Sequence, residues 1–209
     1  FTADFQHLCA VTIATQLWFY CDAYGKFVVS PLLFDYYRNI LPDAIFLEGK
    51  TSSHGTYPDD AAYNIACSGK YSVHNFNFTD EIVKKLIKGE KIHVSQGYSK
   101  CSVCICGYNT IVTDDISVYN AVLQYDNINS LLIEKGSVHI NKYDYGFIGG
   151  CCGLINKNVL LFNGDLSLHS NFDKIKKFLY DNNVNYIDIK GKPLTDIGSI
   201  IPIMETDGD

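Results

Sequence analysis

The residues of this chain with the widest chemical repertoire are eight cysteines and six histidines. Cys101, Cys104 and Cys106 include a C-x-x-C, and the adjacent Cys151 and Cys152 would complete a tetrahedral metal set. Strand geometry opposes that reading. If Cys101 to Gly107 is a strand, Cys101 and Cys104 point to opposite faces, whereas chelation needs a tight turn that brings both sulfurs to one ion. Cys104 and Cys106 share a face, but roughly 6.5 Å separates them along a strand, too far for an ordinary disulfide. The cysteines are therefore expected to be buried, reduced and without metal, as small apolar residues in a reducing cytoplasm.

The histidines are dispersed. His74 and His169 fall at strand ends, where a base could sit, while His93 and His139 alternate with apolar neighbours and are expected on exposed edges of sheet. The chain has no nucleophile elbow, phosphate-binding loop or dinucleotide fingerprint in context. Its densest glycine cluster, Gly146 to Gly153, does not precede a helix, so no cofactor is expected. Gly149, Gly150 and Gly153 instead suggest a bulged inner strand or a close backbone approach.

The elements that must position these groups recur with a period of 40 to 50 residues. Copies begin at Lys26, Lys70, Asn109 and Asn158, where Phe27 to Val29, Tyr71 to Val73, Thr110 to Val112 and Val159 to Phe162 supply short apolar runs. A helix follows each run. In the first copy Ser30 and Pro31 open it, Leu33, Tyr36, Tyr37 and Ile40 are spaced for burial, and Pro42 ends it. In the second, Thr79 is the expected cap, with Ile82, Val83, Leu86 and Ile87 as the apolar stripe. The third, around Val118 to Gln124, is shorter. In the fourth, Ser170 caps a helix whose Phe172, Ile175, Phe178 and Leu179 face inward.

A second apolar run then closes on a glycine in each copy: Ile45 to Gly49, Ile92 to Gly97, Leu131 to Gly136 and Tyr186 to Gly191. Between copies lie small-residue strands, Ala61 to Ser68, Cys101 to Gly107, Phe147 to Ile155 and Ile197 to Ile203, and Ala10 to Tyr20 precedes the first. Small side chains there would let several strands approach a common axis, and the centre of such a ring is where a site is expected.

With 209 residues and 47% hydrophobic content the chain can bury a single sizeable core. A net charge of -6 without a basic stripe argues against nucleic acid. No apolar run approaches the roughly 18 residues of a membrane span, and no secretory signal is apparent, so a cytoplasmic protein is expected.

Four stretches carry a resemblance to a known family: Tyr57-Pro58-Asp59-Asp60-Ala61-Ala62-Tyr63-Asn64, Gln96-Gly97-Tyr98-Ser99-Lys100-Cys101-Ser102, Asp144-Tyr145-Gly146-Phe147-Ile148-Gly149-Gly150 and Asp196-Ile197-Gly198-Ser199-Ile200-Ile201-Pro202. They resemble a group of uncharacterised, mainly clostridial bacterial proteins placed in the pentein, or guanidino-group-modifying enzyme, fold. The resemblance covers the chain from about Gly25 onward. It implies a five-bladed α/β-propeller of strand-strand-helix-strand units with an incomplete N-terminal unit, one domain over residues 1–209.

Active penteins use a cysteine nucleophile near the C-terminus, a histidine at a central strand and carboxylates that hold a guanidinium. By repeat position the resemblance places the thiol near Ser199, the histidine near Lys100 and one carboxylate near Asp60 or Asn64, so only the acid survives. Ordinary deiminase or amidinotransferase chemistry is therefore not expected, because a serine without an adjacent base is a far poorer nucleophile than a thiolate. The reading that follows is a protein binding a small polar or cationic metabolite in the central channel, lined by Asp60, Asn64, Lys100, Asp114, Asp115, Asp165 and Ser199. The acids among these are also ordinary turn or cap residues. The alternative is a hydrolase or guanidine-modifying enzyme with rearranged residues, with Lys100 or His169 as base and Ser199 or Cys151 as nucleophile.

Overall fold

The computed structural model describes residues 8–12, 19–21, 26–52, 57–68 and 70–205. Five sheets are present among them. The first contains β2 (Phe19–Cys21), β3 (Lys26–Val29) and β4 (Ile45–Glu48); the second β5 (Ala66–Cys67), β6 (Tyr71–His74) and β7 (Glu90–His93). The third contains β8 (Val103–Gly107), β9 (Thr110–Thr113) and β10 (Asn129–Leu132); the fourth β11 (Cys152–Asn156), β12 (Val159–Phe162) and β13 (Asn185–Asp188). In all four the first strand runs antiparallel to the second and the second parallel to the third. The fifth sheet pairs β1 (Leu8–Thr12) with β14 (Ile200–Glu205), antiparallel.

A parallel pair needs a crossover, and each sheet supplies a helix for it: α1 (Phe34–Ile40), α2 (Glu81–Leu86), α4 (Ile116–Val122) and α5 (Phe172–Asp181). In α5, Ile175 and Leu179 are buried with Phe172 and Phe178 partly so, a stripe at helical spacing. Both faces of these middle strands are covered: Phe27 to Val29 are buried, as are all residues of β6 and β9.

The apolar core is shared between consecutive sheets. Phe27, Val29 and Tyr37 pack on Ile201 of β14, and Val28 packs with Ala62, Tyr63 and Val83. Val73 and Ile92 pack with Val103, Ile111 and Val118, and Val112 packs with Leu160, Phe162 and Ile175. The first strands stand beside one another, β8 against β5 and β11, and β11 against β14. Polar staples repeat the order. The loop after β4 donates Lys50 N and Thr51 N to Asp80, which heads α2, both at 2.7 Å. The loop after β7 donates Gln96 Nε2 to Asp115, which heads α4, and the loop after β10 donates Glu134 N to Asn171, which heads α5.

Several expectations are corrected. Ala10 to Tyr20 is not one strand: β1 and β2 lie in different sheets, and residues 13–18 lie outside the described set. The inner segments are only half strand. A 3-10 turn at Asp59–Ala61 precedes β5, the one-turn helix α3 (Ser99–Ser102) precedes β8, and a 3-10 turn at Ile148–Cys151 precedes β11. Thr79 is not the cap of α2; Asp80 is, accepting Ile82 N at 2.8 Å, because Thr79 is committed to His74. Asn171, not Ser170, precedes α5, and Ser170 Oγ bonds Ser137 Oγ instead. Of the first-copy residues spaced for burial, Tyr37 is buried while Tyr36 and Ile40 are exposed. Among the described residues no helix is long and apolar enough to cross a membrane.

Candidate functional site

The one-turn helix α3 is the piece of backbone that carries Lys100. So short a helix cannot satisfy its own amides, and a neighbouring polar side chain does so. Asn64, buried in the turn before β5, accepts Lys100 N at 2.9 Å and Cys101 N at 3.2 Å on its Oδ1. Ser99 Oγ donates to Gln96 O, and Thr113 Oγ1 donates to Ser102 O. Thus anchored, Lys100 Nζ donates to Ser199 Oγ at 2.5 Å. Ser199 is fully buried, and its Oγ also lies 3.0 Å from Gly149 O and 3.0 Å from Cys152 O.

Glycines let these backbones meet. A Cβ at Gly149 would collide with Lys100 O and Val103 O, one at Gly150 with the Asp196 carboxylate, and one at Gly153 with Ile200 O. Both readings of this cluster are found: Gly149 and Gly150 lie in a 3-10 turn where backbones approach closely, and β11, which holds Gly153, carries a register shift between Leu154 and Asn156.

Two buried carboxylates, Asp60 and Asp114, and the half-buried Asp196 are tied to the segments that meet here. Asp60 Oδ2 accepts Tyr98 Oη at 2.9 Å, and its Oδ1 has no partner. Asp114 Oδ2 accepts Ile148 N at 3.2 Å, and its Oδ1 has none either. Both residues are 5% exposed, so each leaves a buried acceptor unsatisfied. Burial pushes Asp114 up to about 7, against the Ile148 N–H and the Lys135 charge, which pull it down. Asp196, which sequence reasoning did not single out, accepts Phe147 N on Oδ2 and Gly198 N on Oδ1, both at 2.9 Å. Burial raises its pKa, while those bonds and the Lys100 ammonium oppose the rise. Its signal lay in the quoted stretch from Asp196 to Pro202. The charges of Asp196, Lys100 and Asp114 all act on the Cys101 thiol, which burial pushes up to about 12. Tyr57, three residues before Asp60, packs on Phe78 and Tyr98, with ring centroids 5.3 and 5.7 Å away.

The remaining candidates do other work. Asp115 caps α4 through Ser117 N and Val118 N. Asp165 caps the turn at Leu166–Leu168 and also takes Gly191 N and Lys190 Nζ. His169 Nδ1 accepts Asn171 N at 3.0 Å, so the neutral ring carries its proton on Nε2 and has no free lone pair with which to act as base. Cys151 is fully buried, its thiol donates to Ile148 O, and burial holds its pKa well above the usual value. Neither an enzyme base at His169 nor a thiolate at Cys151 is assembled.

Cys104 and Cys106 differ from expectation. Their sulfurs are 3.6 Å apart, because a register shift between Ile105 and Gly107 kinks β8 and turns both thiols together. Cys104, Cys106, Cys151 and Cys152 are free thiols. Among the described residues no three of His, Cys, Asp and Glu are grouped to hold a metal ion. A surface cleft of about 450 Å³, lined by Phe34, Arg38, Pro42, Ala44, Ile45 and Phe46, shares no residue with this centre.

His74 supports the site from behind. Its Nε2 donates to Gly97 O at 2.8 Å and its Nδ1 accepts from Thr79 Oγ1 at 2.6 Å, fixing the loop that leads into α3. Burial lowers its pKa from 6.5 to about 4, against the raising effect of the Gly97 carbonyl. The unfolded chain therefore takes up a proton below pH 6.5 that the native state refuses until about pH 4. His74 stabilises fully above pH 6.5, and that contribution is lost as pH falls through this window. Between pH 7 and pH 4.5 the native protein is expected to lose on the order of 2–3 kcal/mol more than His74→Gln, read from urea unfolding at both pH values. Equal losses in the two proteins would refute the assignment.

The sequence model of the family of unknown function DUF6873 matches residues 17–201. No curated protein matches the sequence. Among solved structures the chain is similar to SxtG, an amidinotransferase from Microseira wollei in the saxitoxin biosynthetic pathway, with 8% identity over 88% of this chain and 68% of that one, at a TM-score of 0.51. It is similar to the inosamine-phosphate amidinotransferase StrB1 from Streptomyces griseus, with 10% identity over 88% of this chain and 66% of that one, at 0.51. It is also similar to the C. jejuni agmatine deiminase, with 11% identity over 85% and 66% of the two chains, at 0.50. The chain thus spans about two thirds of the length of these structures, and the likeness is one of fold, the mixed α/β pentein fold.

Proposed function

This chain belongs to the family of unknown function DUF6873, and from that premise we propose that it is a pentein-fold protein that binds a small polar or cationic metabolite around α3. The five sheets are the blades of a five-bladed α/β-propeller built from internal repeats. Core clusters bridging the first to the second, second to third, third to fourth and fifth to first sheets, together with β11 against β14, support that closure. We assign the protein to the cytoplasm, where buried thiols such as Cys104 and Cys151 stay reduced.

One observation carries the binding reading: Asp60 and Asp114 each keep a buried carboxylate oxygen without a protein partner, which a cation or a polar hydrogen would satisfy. Asn64 anchors the backbone of α3, which carries Lys100, and Lys100 bonds Ser199. The solved structures of similar fold are two amidinotransferases and an agmatine deiminase, all named for chemistry on guanidino groups, which directs attention to guanidinium and amine ligands.

The Lys100 to Ser199 bond favours a second reading, a serine nucleophile with a lysine base. The surroundings weigh against it. Ser199 Oγ has one ammonium and two carbonyls around it and no exposure, which leaves no direction from which an electrophile can approach.

The test is a thermal-shift series with arginine, agmatine, putrescine and methylguanidinium. A bound cation at 100 times its Kd adds about 2.7 kcal/mol, roughly 5–10 °C for a chain of this size. Asp60→Asn and Asp114→Asn should each abolish most of that rise. Because Asp114 must ionise from a pKa of about 7, affinity should climb about ten-fold between pH 6 and pH 8. No citrulline or ammonia should be released. Turnover that vanishes in Ser199→Ala would instead establish the enzyme, and a midpoint unmoved by every cation would sink the binding reading.

A further inference from the structure

The polar centre already holds one small cation, the ammonium group of Lys100. Resting on the cation binding proposed above, we infer that Lys100 is a built-in occupant of the ligand's ammonium or guanidinium position, which an incoming cation must displace. The Ser199 hydroxyl has one proton, and two carbonyls, Gly149 O and Cys152 O, compete for it. The Oγ lone pair is thereby turned toward Lys100 Nζ, which it accepts at 2.5 Å. This is a preformed acceptor for a single N–H donor.

The hold on Lys100 is slight. An ammonium has three donors, and among the described residues Ser199 Oγ is the one hydrogen-bond acceptor that Nζ meets. Asp196 feels the Lys100 charge, but its two oxygens are engaged by Phe147 N and Gly198 N, so it supplies potential rather than a direct ion pair. The carboxylate oxygens that do lack partners belong to Asp60, reached from α3 through Tyr98, and Asp114, reached through Ile148 in the turn that holds Gly149. The centre thus combines carboxylate oxygens that lack partners with a lysine held by a single hydrogen bond among the described residues.

Two like charges cannot share so small and buried a centre, so the ligand and the Lys100 to Ser199 contact exclude each other. The exchange needs no backbone movement. Asn64 pins Lys100 N and Cys101 N, so only the lysine side chain has to rotate, a motion of picoseconds to nanoseconds once the bond is broken.

Lys100→Ala removes the atoms from Cγ to Nζ, the equivalent of n-propylammonium. The melting midpoint of Lys100→Ala should rise saturably with n-propylammonium chloride beyond a sodium chloride control of equal ionic strength, while the native protein shows no such rise. Methylguanidinium should bind Lys100→Met, which keeps the side-chain volume without the charge, about ten-fold or more tighter than it binds the native protein. If Lys100→Ala does not fold, the methylguanidinium comparison decides alone. Equal responses of the native protein and Lys100→Ala to n-propylammonium, or equal affinity of the native protein and Lys100→Met for methylguanidinium, would overturn the displacement. Methylguanidinium binding neither protein would overturn the displacement, and the cation-binding reading falls with it only if arginine, agmatine and putrescine also leave the midpoint unmoved, which separates the two failures.

Discussion

Asp80→Ala should lower folding stability by about 3–5 kcal/mol and the melting midpoint by roughly 10 °C. The carboxylate is 1% exposed and serves four donors. Lys50 N and Thr51 N reach Oδ2 at 2.7 Å, Tyr63 Oη reaches it at 3.3 Å, and Ile82 N reaches Oδ1 at 2.8 Å. Alanine leaves three amides unpaired at a joint between two sheets, and each unsatisfied donor costs about 1–3 kcal/mol where water cannot reach it. The cost should fall toward the lower end if the loop after β4 lifts off and hydrates. Burial alone would raise the Asp80 pKa, but the bonds from Lys50, Thr51 and Ile82 outweigh it and hold the group below the usual carboxylate value. Its stabilisation is therefore present above the unfolded pKa of about 4 and is lost as pH falls through the lower folded value. Urea unfolding at pH 7 decides the matter, and a loss under about 1 kcal/mol would mean that the staple is dispensable.

Gly153→Ala is the second large effect, with an expected loss of about 3 kcal/mol or more. The added methyl would overlap the Ile200 carbonyl, a backbone group that cannot rotate away, so β11 and β14 must part. Ile200 follows Ser199, whose hydroxyl lies 3.0 Å from Cys152 O on the same strand as Gly153. The variant should therefore lose ligand-induced stabilisation along with intrinsic stability. Gly107→Ala is the control, since a methyl there meets nothing within 4 Å, and its effect should stay within about 1 kcal/mol. Comparable losses at the two glycines would show that close approach is not what Gly153 provides.

What could be read from sequence follows the range of the interactions involved. Runs such as Phe27 to Val29 and Thr110 to Val112 announced the middle strands because a strand covered on both faces is mostly apolar. Helix ends were read less well. Thr79 and Asp80 are both good caps by type, and only the tertiary demand of His74 on Thr79 selects between them. The helix α3 was hidden inside what read as a strand, since a single turn is too short to display a helical period. The pairing of Lys100 with Ser199 spans 99 residues, and no local pattern encodes it; only the resemblance drew attention to both positions. The kink that brings Cys104 and Cys106 together was likewise invisible, because strand alternation supposes an unbroken register.

The staples between consecutive sheets turn ordinary loop amides into gauges. A backbone N–H in a surface loop usually trades its hydrogen with water quickly, but Lys50, Thr51 and Glu134 each donate to a side chain that belongs to the next unit. Their hydrogens can exchange only when that joint opens. The first two report on the seam between the first and second sheets, and the third on the seam between the third and fourth. If all three exchange at one common rate, the molecule opens as a whole. If they differ, it loosens one joint at a time, and the slower joint marks the part of the fold that stays shut while a ligand enters and leaves.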